Sequence, residues 1–172
     1  MSTATPRYWF AIRVKLFHEL KTRDNLQKMG IECFVPTSKE VRVWHDRRVI
    51  KDRVLTPQLI FIHATEEERI EVLQLSSVRF TVCIPGKSIP ARIPDKQMND
   101  FIFFITNANN QEIAFLETPL REGDRVRITE GTLTGLEGII VHNRGKRYFA
   151  IKVELLGCAI MELEETMIEK IA

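Results

Sequence analysis

Residues able to do covalent chemistry are few in this chain and far apart. His18, His45, His63 and His142 are scattered, and Cys33, Cys83 and Cys158 are odd in number and widely spaced. None of them shows the spacing of a zinc ligand set, and such isolated thiols fit a reducing compartment rather than a disulfide framework. His63, at the end of an apolar run, reads as a packed or surface histidine rather than a base. Glu66, Glu67 and Glu68 have the chemistry to hold a cation or move a proton. Three glutamates opening an amphipathic stretch also complement the positive end of a helix dipole, and that is the reading taken. No serine or cysteine sits in a nucleophile elbow, and no phosphate loop or dinucleotide fingerprint is present. The expectation is a protein that is not an enzyme, with no catalytic residue, no metal and no cofactor.

Non-covalent chemistry is better represented. Between Lys39 and Thr56, Arg42, Arg47, Arg48, Lys51 and Arg53 are interleaved with Val41, Val43, Trp44, Val49, Ile50 and Val54. Alternation of this kind reads as a β-hairpin turning near His45-Asp46-Arg47. Five cations against Asp46 and Asp52, with an aromatic beside them, suit contact with a nucleic-acid backbone and stacking on a base. The same residues also suit a solvated hairpin whose charges guard an exposed edge. Both readings stand at this point.

The elements that would carry such a hairpin follow in order. Tyr8 to Val14, rich in aromatic and branched residues, reads as a first strand. Phe17, Leu20, Leu26 and Met29 share a helical face, and Gly30 ends that helix. A short buried strand, Ile31 to Val35, closes at Pro36. Leu59-Ile60-Phe61-Ile62 is apolar on both faces and belongs in the middle of a sheet. Thr65 caps a helix from Glu66 to Leu75 with Ile70 and Leu73 inward and Val72 as a further inward candidate. Val78 to Ile84 is a further strand, followed by a turn at Pro85-Gly86-Lys87. Asp95 opens a last helix to about Thr106, with Met98, Phe101, Ile102 and Ile105 on one face. This order of elements predicts an α+β layer with helices packed on a sheet.

Charge divides the chain. Residues 1 to 107 hold 17 Lys and Arg against 12 Asp and Glu, and residues 108 to 172 hold 8 against 11. A basic first part and a mildly acidic second part suggest two domains with different partners. The stretch from Asn107 to Glu112 is polar and aperiodic, and the expected linker is 108–118, within which Ile113, Phe115 and Leu116 either dock on one of the domains or form a short helical turn. No apolar run is long enough for a membrane span and the N-terminus has no apolar signal core, so neither membrane insertion nor export is expected.

From Leu120 to Gly138 a period of two, with Val126 and Ile128 against Arg125, Arg127 and Thr129, gives way to glycines at 131, 135 and 138. Such glycines supply positive φ or close backbone approach where a small barrel turns a corner. Asn143-Arg144-Gly145-Lys146 is a hairpin turn signal, and Ile160 to Leu163 and Met167 to Ile171 supply closing strands. Gly123-Asp124-Arg125-Val126, Glu130-Gly131, Gly135, Glu137-Gly138 and the later Leu155-Leu156-Gly157 resemble the KOW motif of NusG-family transcription elongation factors. The first part is similar to the NusG N-terminal (NGN) domain. The likeness lies in Tyr8-Trp9-Phe10, the Phe34-x-Pro36 step, and Thr56-Pro57-Gln58-Leu59-Ile60-Phe61-Ile62, where family members have Phe-Pro-Gly-Tyr-Val-Phe-Val. The resemblance implies an NGN domain over 1–107, with helices packed on an antiparallel sheet, and an all-β, SH3-like KOW barrel over 119–172.

It further implies a monomeric cytoplasmic protein that suppresses pausing or premature termination. Tyr8, Trp9, Phe10, Thr56, Pro57, Leu59 and Phe61 would form an apolar hollow for the clamp helices of RNA polymerase. Arg42, Arg47, Arg48, Lys51 and Arg53 would touch the nucleic acid of the elongation complex. Leu133, Leu136, Leu155 and Leu156 would face a second partner of the KOW domain, a small-subunit ribosomal protein or Rho, or else form the barrel's own core. The departures at Thr56, Gln58 and Leu59 and the basic hairpin look closer to UpxY-type paralogues, antiterminators dedicated to capsular polysaccharide operons. The competing expectation is a KOW-containing RNA- or ribosome-binding protein, against which the acidic balance of the second part counts.

Overall fold

The computed structural model describes residues 4–108, 112–118 and 120–172. It divides into two compact units, one ending at Asp95 and the other beginning at Lys96. In the first, β1 (Tyr8–Val14), β2 (Glu32–Phe34), β5 (Leu59–Ala64) and β6 (Val78–Thr81) form a four-stranded sheet in the order β2-β5-β1-β6. All three pairings in this sheet are antiparallel. β1 and β5 lie in the middle, β5 as expected of a run apolar on both faces. Beyond β6 the chain keeps alongside β1 through an isolated bridge from Trp9 to Ile93.

Phe10, Ile12 and Val14 of β1 and Ile60, Ile62 and Ala64 of β5 project to one side of that sheet. There they meet Leu26 of α1 (Glu19–Lys28) and Val72 of α2 (Glu66–Val72). Each large apolar side chain buried in this way contributes about 1.5–3 kcal/mol relative to its exposed state. α2 begins with the expected Thr65 cap: its hydroxyl accepts from the Glu68 amide at 3.2 Å, and the Thr65 amide donates back to the Glu68 carboxylate at 3.1 Å. This reciprocal pair satisfies two amide donors at the helix start.

α1 differs from the sequence-based expectation. Its buried residues are Glu19, Thr22 and Leu26, whereas Phe17 is 87% exposed and Met29 is also exposed. Phe17 precedes the helix with φ of 66°, so the helical face counted from it is displaced. Along α2, Ile70 is exposed and Val72 takes the inward position. The basic segment forms its own two-stranded sheet of β3 (Thr37–Trp44) and β4 (Arg47–Val54).

The second unit is a six-stranded antiparallel sheet in the order β12-β8-β9-β10-β11-β7. Its strands are β7 (Ile113–Leu116), β8 (Arg121–Ile128), β9 (Glu137–Asn143), β10 (Lys146–Val153), β11 (Gly157–Met161) and β12 (Ile168–Lys170). Gly123-Asp124 falls where the β8–β9 register shifts, a bulge that bends the strand. Gly138 passes so close to β10 that an added Cβ would lie 2.6 Å from the Ala150 carbonyl oxygen and from the Phe149 ring.

This unit also holds α3 (Asp95–Asn107) from Lys96 onward, a helix expected to belong with the first domain. α3 buries the expected Met98 and Phe101, and Phe104 in place of the expected Ile102 and Ile105. Phe101 meets Phe115 at 5.9 Å between ring centroids, and Phe104 meets Phe149 at 5.7 Å. Within the expected linker, Asn109, Asn110 and Gln111 lie outside the described residues, and 113 to 116 form β7 on the edge of β11.

Candidate functional site

The hairpin turns through His45 and Asp46, with φ of 45° and 64°. These residue types tolerate the left-handed region better than most, and two positive φ values suit a two-residue turn matched to strand twist. Trp44 pairs with Arg47 across this turn, Arg42 with Val49, Glu40 with Lys51 and Ser38 with Arg53. Directly opposed residues share a face. One face therefore carries Arg42, Arg47, Lys51 and Arg53 against a single carboxylate, Glu40, and it carries Trp44, which is 70% exposed. On the other face Val41 opposes Ile50, Val43 opposes Arg48, and Lys39 opposes Asp52.

Ion pairing sharpens that division. Lys39 is neutralised by Asp52, and Arg42 reaches Glu40 at 3.2 Å. Among the described residues, Arg47, Arg48, Lys51 and Arg53 form no ion pair with a carboxylate. Of the five cations singled out in the sequence, four are gathered on one face with Trp44. Arg48 stands on the other.

Of the seven residues expected to form an open hollow, Trp9, Leu59 and Phe61 share one face of the sheet, and Tyr8 and Phe10 stand on the other. Ala11 opposes Phe61 and Trp9 opposes His63, while Phe10 opposes Ile62, so Phe10 lies on the face away from Trp9 and Phe61. It belongs to the core described above, with the Arg69 guanidinium 5.6 Å from its ring centroid. Trp9, Thr56, Leu59 and Phe61 are also buried. Pro57 is exposed and Tyr8 half-buried. Period-two alternation sends neighbours on a strand to opposite sides, which is why three consecutive aromatics cannot share one surface.

Several side chains fix the local backbone around these residues. Thr56 Oγ1 donates to the Leu59 carbonyl at 2.9 Å, and the Gln58 amide donates to Glu19 Oε1 at 2.8 Å. The second bond holds Gln58 at φ of 64°. The Arg92 guanidinium lies over the Tyr8 ring at 3.9 Å, and Trp9 stacks on His63 at 5.0 Å. His63 in turn contacts Glu32 at 2.9 Å. Sequence reasoning passed over Glu19, Arg92 and Glu32 because their partners are remote in the chain.

In the second unit the four leucines separate as well. Leu133 and Leu136 are buried, joined by a turn in which the Leu136 amide donates to the Leu133 carbonyl at 3.0 Å. Leu155, 53% exposed at φ of 67°, and buried Leu156 line a cleft of about 280 Å³ with Leu120, Ile139, Val141 and Cys158. Lys152 and Glu122, paired at 2.8 Å, also border it. Burial pushes the Cys158 thiol up from its ordinary value, which keeps it protonated and a poor nucleophile. Leu120, Ile139 and Val141 were legible only as alternating strand residues. No group of three or more His, Cys, Asp or Glu able to hold a metal ion occurs among the described residues.

A basic, aromatic hairpin beside an antiparallel sheet, followed by a second sheet unit, is the setting for comparison with known proteins. The family model described as "Transcription termination factor nusG" matches residues 7–102. That is more than half of the chain, which therefore belongs to the NusG family of transcription factors. The solved structure described as "Domain interaction in Thermotoga maritima NusG" is similar at a TM-score of 0.53 with 18% identity, covering 96% of this chain and 98% of that one. At this identity the likeness shows the fold. A second structure, described as "Crystal Structure of MjSpt4:Spt5 complex conformation A", covers 95% of this chain and 98% of its own at 13% identity, and its TM-score of 0.29 is too low to carry an argument. No curated protein matches the sequence. No helix among the described residues is long and apolar enough to cross a membrane.

Proposed function

We propose that this chain is a transcription elongation and antitermination factor that binds RNA polymerase through its N-terminal part and suppresses pausing or premature termination. The observation that carries this is the family match over residues 7–102, which spans β1, the hairpin, β5 and most of α3. Tyr8 and Pro57 are the members of the expected hollow that reach the surface, and they are the proposed contacts with the polymerase clamp helices. The remaining members of the proposed contact, Trp9, Thr56, Leu59 and Phe61, are buried. The factor acts by binding the elongating form of the enzyme better than the paused form, shifting the population by that difference in affinity. It needs no catalytic group for this.

The second sheet unit is read as the KOW module. Leu155, Leu156 and the cleft beside them are its proposed contact for a small-subunit ribosomal protein or Rho. The basic hairpin and the departures at Thr56, Gln58 and Leu59 support an operon-dedicated, UpxY-type role at a capsular polysaccharide type of locus, exercised by a monomer in the cytoplasm. Deleting the gene and comparing leader-only with full-length transcripts across operons tests the reading. Loss of full-length transcript from one long operon is expected, and unchanged readthrough everywhere would reject it.

A further inference from the structure

A carboxylate taken out of water without a cation beside it is costly, and Glu19 is in that position. It is 4% exposed, and it forms no ion pair among the described residues. Its place in the first turn of α1 suits the helix dipole, but an exposed glutamate would serve the dipole as well. Burial calls for a specific partner. That partner is the Gln58 amide, which donates to Glu19 Oε1 at 2.8 Å from 39 positions along the chain.

Gln58 is the third residue of a tight turn from Thr56 to Leu59. The Leu59 amide donates to the Thr56 carbonyl at 3.0 Å, Pro57 takes the second position, and Gln58 has φ of 64°. Proline followed by a left-handed residue is the pattern of a type II turn, whose third position glycine fills without steric cost. A residue with a side chain prefers type I, and the two forms differ by reversal of the central peptide, here the one joining Pro57 to Gln58. Other bonds leave that peptide alone: Thr56 Oγ1 donates to the Leu59 carbonyl at 2.9 Å, and the Val14 amide donates to the Gln58 carbonyl at 2.9 Å. The bond to Glu19 engages its N–H, and would be lost on reversal. Pro57, which that peptide also carries, is exposed.

We propose that Glu19 is a positioning residue for the polymerase contact: by accepting the Gln58 amide, its buried carboxylate fixes the type II form of the 56–59 turn and so sets how Pro57 is presented. The inference rests on the function proposed above, in which Pro57 touches the polymerase.

Purified RNA polymerase is titrated into the labelled full chain, and exchange of the Gln58 amide is followed by NMR in the free chain. That amide is expected to be protected. Glu19→Ala removes the acceptor and weakens polymerase binding about 10- to 150-fold, as for a lost hydrogen bond to a charged group. Glu19→Gln keeps an acceptor oxygen and retains most of the affinity. Gln58→Gly in the Glu19→Ala background regains about 5- to 30-fold, because glycine takes the left-handed position unaided. In the native background the same change has a smaller effect, the mark of coupled residues. A carboxylate that merely filled space would show no such rescue. Native affinity in Glu19→Ala, a loss that Gln58→Gly does not relieve, or an unprotected Gln58 amide in the native chain would overturn the assignment, and the last decides even where Glu19→Ala does not fold. A chain with the amide protected that does not bind polymerase loses the proposed function alone. One that binds polymerase with the amide unprotected loses this inference alone.

Discussion

At the scale of single residues, the backbone at Phe17 decides more than its side chain does. An exposed phenylalanine at φ of 66° has little burial to offset the steric cost of the left-handed region. Phe17→Gly is expected to raise unfolding stability by about 0.5–1 kcal/mol, the strain relieved less the entropy glycine adds to the unfolded chain. Denaturant melts of the two proteins check this, and a destabilised variant would show that Phe17 packs more tightly than its exposure implies. Cys158 supplies a second case. Its raised thiol pKa predicts slow alkylation of Cys158 in the native chain near neutral pH, read by peptide mapping, with the rate rising on unfolding. These features were legible only in part. The sequence marks Phe17 as apolar and therefore inward, because periodicity counts residue types and does not register where the chain reverses its path before a helix.

At the scale of elements, Arg127 on β8 ties three strands together. Its guanidinium donates to Glu137 on β9 at 2.7 Å and to Glu169 on β12 at 3.1 Å. The hydrogen bond from Arg127 is the largest influence on the Glu137 carboxyl and holds its pKa below the ordinary value. A carboxyl lowered on folding stabilises the native state above its unfolded pKa, and that contribution is lost as pH falls through the lowered folded value. Arg127→Ala should therefore reduce stability at neutral pH and flatten its decline on acidification, measured as melting temperature against pH. An unchanged acid limb would contradict the role given to this pair. Gly138 tests the same strands sterically. Gly138→Ala drives a methyl into the Ala150 carbonyl and the Phe149 ring, and about 1–3 kcal/mol of stability should be lost.

The hairpin was the most legible element, because cations and branched residues alternate around a His-Asp turn and both strands are continuous. β7 was not, since four residues joined to aperiodic sequence leave too short a pattern for a period to show. The candidate hollow was misjudged for the opposite reason. Tyr8-Trp9-Phe10 is conspicuous by composition, yet strand geometry alone sends Phe10 away from Trp9.

At the scale of the whole molecule, the notable finding is the membership of α3. The family match extends into it, while its Phe101 and Phe104 pack with Phe115 and Phe149 in the second unit. No periodicity in the helix states which sheet its apolar face will meet. A fragment of residues 96–172 should accordingly melt at a higher temperature than one of residues 112–172, in which Phe149 loses its Phe104 neighbour. Equal melting would return α3 to the first unit.

The central claim is that a NusG-family chain of this architecture acts on elongating RNA polymerase. Capture of cellular partners by the tagged full chain, with Tyr8→Ala and Pro57→Ala variants alongside, tests it most directly. Polymerase subunits should co-elute with the native chain and be depleted from both variants. Recovery of ribosomal particles without polymerase would contradict the account.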